Sequence, residues 1–318
     1  MIIFLKKYKS KIALMVFICV LVCTVSCLLD FKTLEKQKMP GLEKKSVFMA
    51  AENTVAKNTD KAVNEPRLHA VSAALYDADD ETFIYGRNMR DSMANASTTK
   101  LLTCIVALEK ADINDTVTIS QNAASQPEVK LGLVAGNSYN MKDLLYGMML
   151  ESFNDCAYAI AEHVGGSTEG FAKLMNEKCK ELGLKYTHFT NPTGLYDEEQ
   201  YTTPSEMAMI MEYAMKDETR AKVLGTYQYK TKATEQHPEG IPLTSTMYSR
   251  IYGNEAPGVL VKGGKTGFTN EAGSCLVSYA VTNKGNAYVF CTGGATYRWA
   301  PVYDEIYVYK NIIPASAK

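Results

Sequence analysis

The sequence predicts an α+β fold, with an antiparallel sheet drawn from both chain ends and a helical middle subdomain. Three observations carry this. β-like runs bounded by turn residues occur near the start, at Ala70–Tyr76 and Phe83–Tyr85, and again from Tyr227 onward. Capped, helix-period stretches fill the region between, from Ser97 to Met215. Hydrophobic residues are 46% of the 318 and charged residues 22%, which suits an ordinary globular core and excludes a disordered chain. Strands and helices that segregate rather than alternate give α+β.

The first 65 residues stand apart. Lys6, Lys7, Lys9 and Lys11 precede an apolar run, Ile12 to Leu29, of about eighteen residues, at the border between a signal-peptide core and a minimal membrane span. Positive charge before the run keeps the N-terminus cytoplasmic and sends the rest outside. Residues 1–29 are therefore a signal peptide or a signal-anchor. No small-x-small cleavage site follows closely, which favours the anchor, and Thr24-Val25-Ser26-Cys27 is a poor lipidation box because Thr24 is not aliphatic. Residues 30–65, rich in Lys, Glu, Ala and Asn, read as a flexible tether. The folded domain is expected over residues 66–318.

Along the domain, Asp77-Ala78-Asp79-Asp80 turns the first hairpin. Helices are expected at Ser97–Lys110, Lys142–Glu151, Asp155–His163 and Glu169–Leu182, the last stopped by Gly183. Thr203-Pro204-Ser205-Glu206 is a capping box that starts a helix reaching Met215. Strands are expected at Tyr227–Lys232, Val259–Lys262, Ser274–Val281 and Ala287–Thr292, and a closing helix at Trp299–Tyr309. Of eight cysteines, three lie in the leader. A Cys104–Cys156 bridge is the one pairing that the site proposed below would bring together. The apolar contexts of Cys104, Cys156, Cys179, Cys275 and Cys291 read instead as buried thiols, and their spacing fits no metal site. A net charge of −1 excludes a nucleic-acid binder.

Three short segments carry chemistry. In Asn95-Ala96-Ser97-Thr98-Thr99-Lys100, Ser97 and Lys100 stand three apart at a helix start, which puts an amine beside a hydroxyl that needs a base. Glu151-Ser152-Phe153-Asn154-Asp155 places a hydroxyl and an amide at a sharp reversal between helices. Gly263-Gly264-Lys265-Thr266-Gly267-Phe268-Thr269, read as the entry to a strand, offers a cation, a hydroxyl and a glycine that permits close approach. Each alone is weak, since S-x-x-K is a common helix cap and the others are ordinary turns.

Together, S-x-x-K, S-x-N and K-T-G in this order match the set found in penicillin-binding proteins and class A β-lactamases. From Ala70 to Tyr309 the chain resembles the low-molecular-mass penicillin-binding proteins that act as serine-type D-alanyl-D-alanine carboxypeptidases. Segments Ala96–Leu101, Asp143–Gly147, Ala161–Gly166, Phe189–Leu195 and Lys265–Leu276 carry the resemblance. It implies a β-lactamase/transpeptidase-like fold, peptidoglycan stem peptides as substrate and β-lactams as covalent inhibitors, with no metal and no organic cofactor. It also implies the roles. Ser97 is the nucleophile and Lys100 its base, with a pKa lowered by burial and by Lys265. Ser152 and Asn154 relay protons and hold the substrate amide. Lys265 and Thr266 bind the terminal carboxylate, the Ser97 and Phe268 N–H groups form the oxyanion hole, and Gly267 clears the way. Arg298 is a further carboxylate candidate, with a plain surface arginine as the rival reading. His163 and His188 are expected to be structural.

The chain departs from the family at Asn95, usually Pro, which is expected to loosen the turn without touching the chemistry. Phe153 replaces a small residue and should bulk one cleft wall. Many relatives continue into a second domain and a C-terminal membrane helix. A class A β-lactamase is disfavoured because Asn191-Pro192-Thr193-Gly194-Leu195 stands where a Glu-x-x-Leu-Asn loop is required. A non-catalytic muropeptide binder is disfavoured by the intact nucleophile, and endopeptidase or transpeptidase action on the same site stays open.

Overall fold

Period-two alternation in the C-terminal strands, with apolar residues on both faces, sets the architecture. In the computed structural model, which describes residues 67–318 except Glu128, Glu235 and Gln236, β8 and β9 run at Gly273–Thr282 and Ala287–Ala295. Val277, Val289 and Cys291 point into a core of helices, while Leu276, Tyr288 and Phe290 point the other way. A sheet apolar on both faces must be covered on both, and each large side chain fully buried there contributes about 1.5–3 kcal/mol.

The remaining strands of that sheet are β1 (Ser72–Asp77), β2 (Thr82–Arg87) and β7 (Val259–Thr269). The order is β2-β1-β9-β8-β7, antiparallel throughout, so strands from both chain ends share one sheet as expected. One face carries the C-terminal helix Ala300–Asn311, through Val302, Val308 and Tyr309. The other carries the helical lobe: α1 (Lys100–Lys110), α2 (Gln121–Ala124), α3 (Met141–Leu150), α4 (Asn154–Gly165), α5 (Thr168–Glu181), α6 (Pro204–Met215) and α7 (Glu218–Leu224). Short α8 (Tyr248–Ile251) precedes β7, and the C-terminal helix is α9. All described residues belong to one compact unit. No helix among them is long and apolar enough to cross a membrane. The expected leader and tether lie outside the described residues.

Most helices begin where a side chain takes an orphan N–H: Asn140 from Lys142, Ser167 from Gly170, Asp217 from Arg220. Thr203 caps α6 by accepting from the Glu206 N–H at 3.1 Å, with Pro204 at the first helical position. The capping box is only half formed, because the Glu206 carboxylate does not return to Thr203. It accepts from the Lys185 and Tyr186 N–H groups and the Thr187 hydroxyl instead, tying down the loop that leads to the site.

Three other expectations need correction. The strand expected at Tyr227–Lys232 exists as β5 (Gln228–Lys230), but it pairs with β6 (Pro242–Thr244) in a separate two-stranded ribbon. Ser97 lies in a single 3₁₀ turn, Ala96–Thr99, ahead of α1. Lys265-Thr266-Gly267 lies inside β7, not before a strand, because that run pairs with β8 all the way to Thr269. The small ribbon β3 (Thr116–Thr118) with β4 (Ser138–Asn140), and helix α7, have patterns too short to read. The five domain cysteines are free and buried, with no Cys104–Cys156 bridge.

Candidate active site

Ser97 sits in a turn held against two glycines. Ala96, before it, takes φ +45°, and Ser152 takes φ +67°; these are two of the four non-glycine residues with positive φ among those described. Strained backbone of this kind persists only where the surroundings fix it. Here they do. A Cβ at Gly267 of β7 would lie 2.6 Å from the Ser97 nitrogen, and one at Gly194 would lie 1.7 Å from the Ala96 carbonyl oxygen. Both positions need glycine for the chain to come so close, and Gly194 also adopts φ +85°.

The β7 period then distributes the K-T-G side chains. Lys265 pairs with Val277, so it leaves the sheet on the helical side, where its Nζ donates to Ser152 Oγ (3.1 Å) and to the Thr266 carbonyl (2.8 Å). Thr266 follows on this edge strand of the sheet, its hydroxyl 2.9 Å from that of Thr246. Phe268 follows on the same edge strand with its ring 59% exposed, beside the Ser97 turn.

Lys100 is fully buried, and its Nζ lies 3.0 Å from Ser97 Oγ, 2.8 Å from Asn154 Oδ1 and 2.8 Å from the Thr193 carbonyl oxygen. Burial, with the nearby Lys265 charge, holds its pKa well below the usual lysine value. Burial alone brings Lys265 down to about 7. Among the described residues no carboxylate pairs with either amine. A neutral Lys100 has two N–H donors and one lone pair. The two carbonyl-type acceptors, Asn154 and Thr193, take the donors, which leaves the lone pair for the Ser97 hydroxyl proton. That arrangement is a poised general base.

Sequence reasoning missed the part played by Thr193. The segment Phe189–Leu195 carried resemblance but no assigned chemistry. Its irregular backbone is held by side chains: Asn176 brackets Phe189, Gln200 accepts from the Thr190 and Asn191 N–H groups, and Asn191 Oδ1 accepts from the Thr193 and Gly194 N–H groups. The product of that effort is one carbonyl aimed at Lys100. Asn154 is the first residue of α4, and Asp155 beside it is fully buried, accepting from the Leu131, Gly132 and Leu133 N–H groups. The structure thus brings Ser97, Lys100, Ser152, Asn154, Lys265, Thr266 and Gly267 into one site.

Arg298 is not brought in. It is exposed beyond the end of β9, and the contact it makes is with the Trp299 ring, 4.8 Å from the centroid. His163 pairs with Asp115 at 3.1 Å and His188 Nδ1 lies 2.6 Å from the Glu199 carbonyl oxygen, and neither is among the hydrogen-bond partners of Lys100 or Lys265. The Asn95 side chain is buried, and neither polar atom has a hydrogen-bond partner.

Residues 59–292 match the model of the Peptidase S11 family, described as D-alanyl-D-alanine carboxypeptidase. The chain belongs to that family. It is 34% identical over 251 residues to the D-alanyl-D-alanine carboxypeptidase DacF of Bacillus subtilis, a match covering 77% of this chain and 63% of that protein. It is 32% identical over 227 residues to a D-alanyl-D-alanine endopeptidase of Escherichia coli, covering 69% of this chain and 70% of the relative. Its fold is similar to the solved structure of a mutant of the Streptomyces K15 DD-transpeptidase, with a TM-score of 0.71 and 26% identity, covering 77% of this chain and 98% of that one. The printed names of these relatives range over carboxypeptidase, endopeptidase and transpeptidase.

Proposed function

We propose that this protein is a serine-type D-alanyl-D-alanine carboxypeptidase, trimming the terminal D-alanine from peptidoglycan stem peptides at the outer face of the cytoplasmic membrane. The apolar segment Ile12–Leu29 supports export and membrane attachment. The observation that carries the catalytic reading is the buried Lys100 amine 3.0 Å from Ser97 Oγ, with no carboxylate among the described residues to hold its proton.

In this reading Ser97 Oγ attacks the carbonyl between the two D-alanines as its proton passes to Lys100. The C–N bond breaks, the departing D-alanine amine takes a proton relayed through Ser152, and water then hydrolyses the Ser97 ester. Lys265 and Thr266 hold the terminal carboxylate, a charge-assisted pairing. The Ser97 and Phe268 N–H groups receive the oxyanion, each donor contributing on the order of 3 kcal/mol. A second reading, endopeptidase or transpeptidase action, is favoured by the relatives bearing those names. A β-lactam would acylate Ser97 in either.

Labelled penicillin tests the site. A long-lived adduct mapped to Ser97, absent in Ser97→Ala, is expected, along with release of free D-alanine from a D-Ala-D-Ala peptide. An adduct lost within seconds would point to a β-lactamase, and no adduct on a folded protein would overturn the catalytic reading. From the D-Ala-D-Ala peptide, D-alanine leaves on acylation in every case; transfer of the acyl group to an added amine in place of water would select transpeptidase action, and cleavage of a cross-linked peptide at its internal D-alanyl bond would select endopeptidase action.

A further inference from the structure

The Thr246 hydroxyl lies 2.9 Å from that of Thr266. Thr246 is not part of any of the three motifs; it sits between β6 and α8. Yet its position is fixed by three successive backbone donors: Thr244 N–H to Glu151 Oε1 (2.8 Å), Ser245 N–H to the Tyr227 carbonyl (2.8 Å) and Thr246 N–H to the Leu150 carbonyl (3.1 Å). Two of these anchors, Leu150 and Glu151, immediately precede Ser152. The segment therefore ties the S-x-N turn to the K-T-G strand.

A threonine hydroxyl has one proton and can both donate and accept. If Thr266 gives its proton to Thr246, none is left for a substrate. If Thr246 donates to Thr266, the Thr266 proton is free for the substrate. A carboxylate, which can only accept, selects the second polarity. Cooperative chains of this kind also strengthen the terminal donor.

We infer that Thr246 is a positioning residue for carboxylate recognition, donating to Thr266 so that the Thr266 hydroxyl points its proton at the free C-terminus of the substrate. This rests on the reading of Lys265 and Thr266 as the carboxylate site. It predicts that Thr246 governs preference for a free C-terminal carboxylate over the same peptide capped as an amide.

The test compares the full-length protein and its Thr246→Val, Thr246→Ser and Thr266→Val variants on an N-acylated peptide ending in D-Ala-D-Ala and on its C-terminal amide. In Thr246→Val the acid-to-amide ratio of kcat/KM should fall about tenfold, the size expected for weakening one hydrogen bond to a charged group, chiefly through KM for the acid. Thr246→Ser, which restores the hydroxyl, should keep the wild-type ratio. A Thr246→Val ratio equal to wild type, or one that Thr246→Ser fails to restore, while Thr266→Val lowers it, would overturn the role of Thr246. A ratio unmoved by Thr266→Val would overturn the carboxylate reading of Thr266, and the proposal with it.

Discussion

At the scale of single residues, two buried lysines within one site define the pH behaviour. In the proposed mechanism Lys100 acts as a base only when neutral, and its lowered pKa makes it neutral well below the ordinary lysine range. The carboxylate-binding role proposed for Lys265 needs its charge, and in the free enzyme it loses that charge at about 7. The sign is then set: kcat/KM rises as Lys100 sheds its proton and falls as pH climbs through about 7. Lys265→Arg keeps its charge at every accessible pH, so the alkaline limb should leave the measured range even if the rate drops. An unmoved limb would mean another group titrates there. The sequence made both lysines legible, because their spacing to Ser97 and Thr266 is local. Thr193 and Thr246 were not legible, since a carbonyl leaves no signature in residue type and a threonine outside a motif looks like any other.

At the scale of the element, the turn carrying Ser97 shows what a motif hides. Asn95 was expected to loosen it harmlessly. Its side chain is enclosed with both polar atoms unpartnered, each such group costing about 1–3 kcal/mol. Its φ of −84° is near the range that proline fixes. Asn95→Pro should therefore stabilise the protein by about 1 kcal/mol or more, read as a higher urea midpoint at unchanged slope. A lower midpoint would mean that the amide finds partners in solution. The same turn explains one boundary error. Local spacing gives a helix from Ser97, but the fit between Gly194 and Gly267 tightens the first turn to 3₁₀, and that fit is a contact between segments far apart in sequence. The K-T-G strand was misplaced for a related reason. Glycines read as strand entry, whereas here they are the strand, thinned where the turn presses on it.

At the scale of the whole molecule, the doubly covered sheet has an internal ionisable group on its far side. Glu305 of α9 is fully buried, neither oxygen has a well-formed hydrogen bond, and the nearby Ser278 hydroxyl is turned to Tyr309 at 2.9 Å. Burial raises its pKa from 4.5 to about 8. The folded state therefore keeps a proton that the unfolded chain loses, so this group's contribution to stability declines as pH rises from about 4.5 to about 8. Glu305→Gln should flatten the decline of Tm across that window relative to wild type; parallel curves would show that Glu305 is already ionised. The architecture itself was legible, because strand and helix periods segregate along the chain. The allocation of β5 to a separate ribbon was not, since a three-residue strand carries no address for its partner.

The order of the strands also has a consequence in time. β1 is made first and β9 last, yet Ser72 pairs with Gly293 and Asp77 with Tyr288 at the centre of the sheet. The hairpin of β1 and β2 is local, but the other edge of β1 stays open while synthesis is under way. It waits, with one strand edge unpaired, for nearly the whole domain to emerge, and pairing across such a distance in sequence is intrinsically slow. A chain interrupted before Ala287 would leave that edge open to other chains, so integrity of the last strand decides between a finished protein and an aggregate.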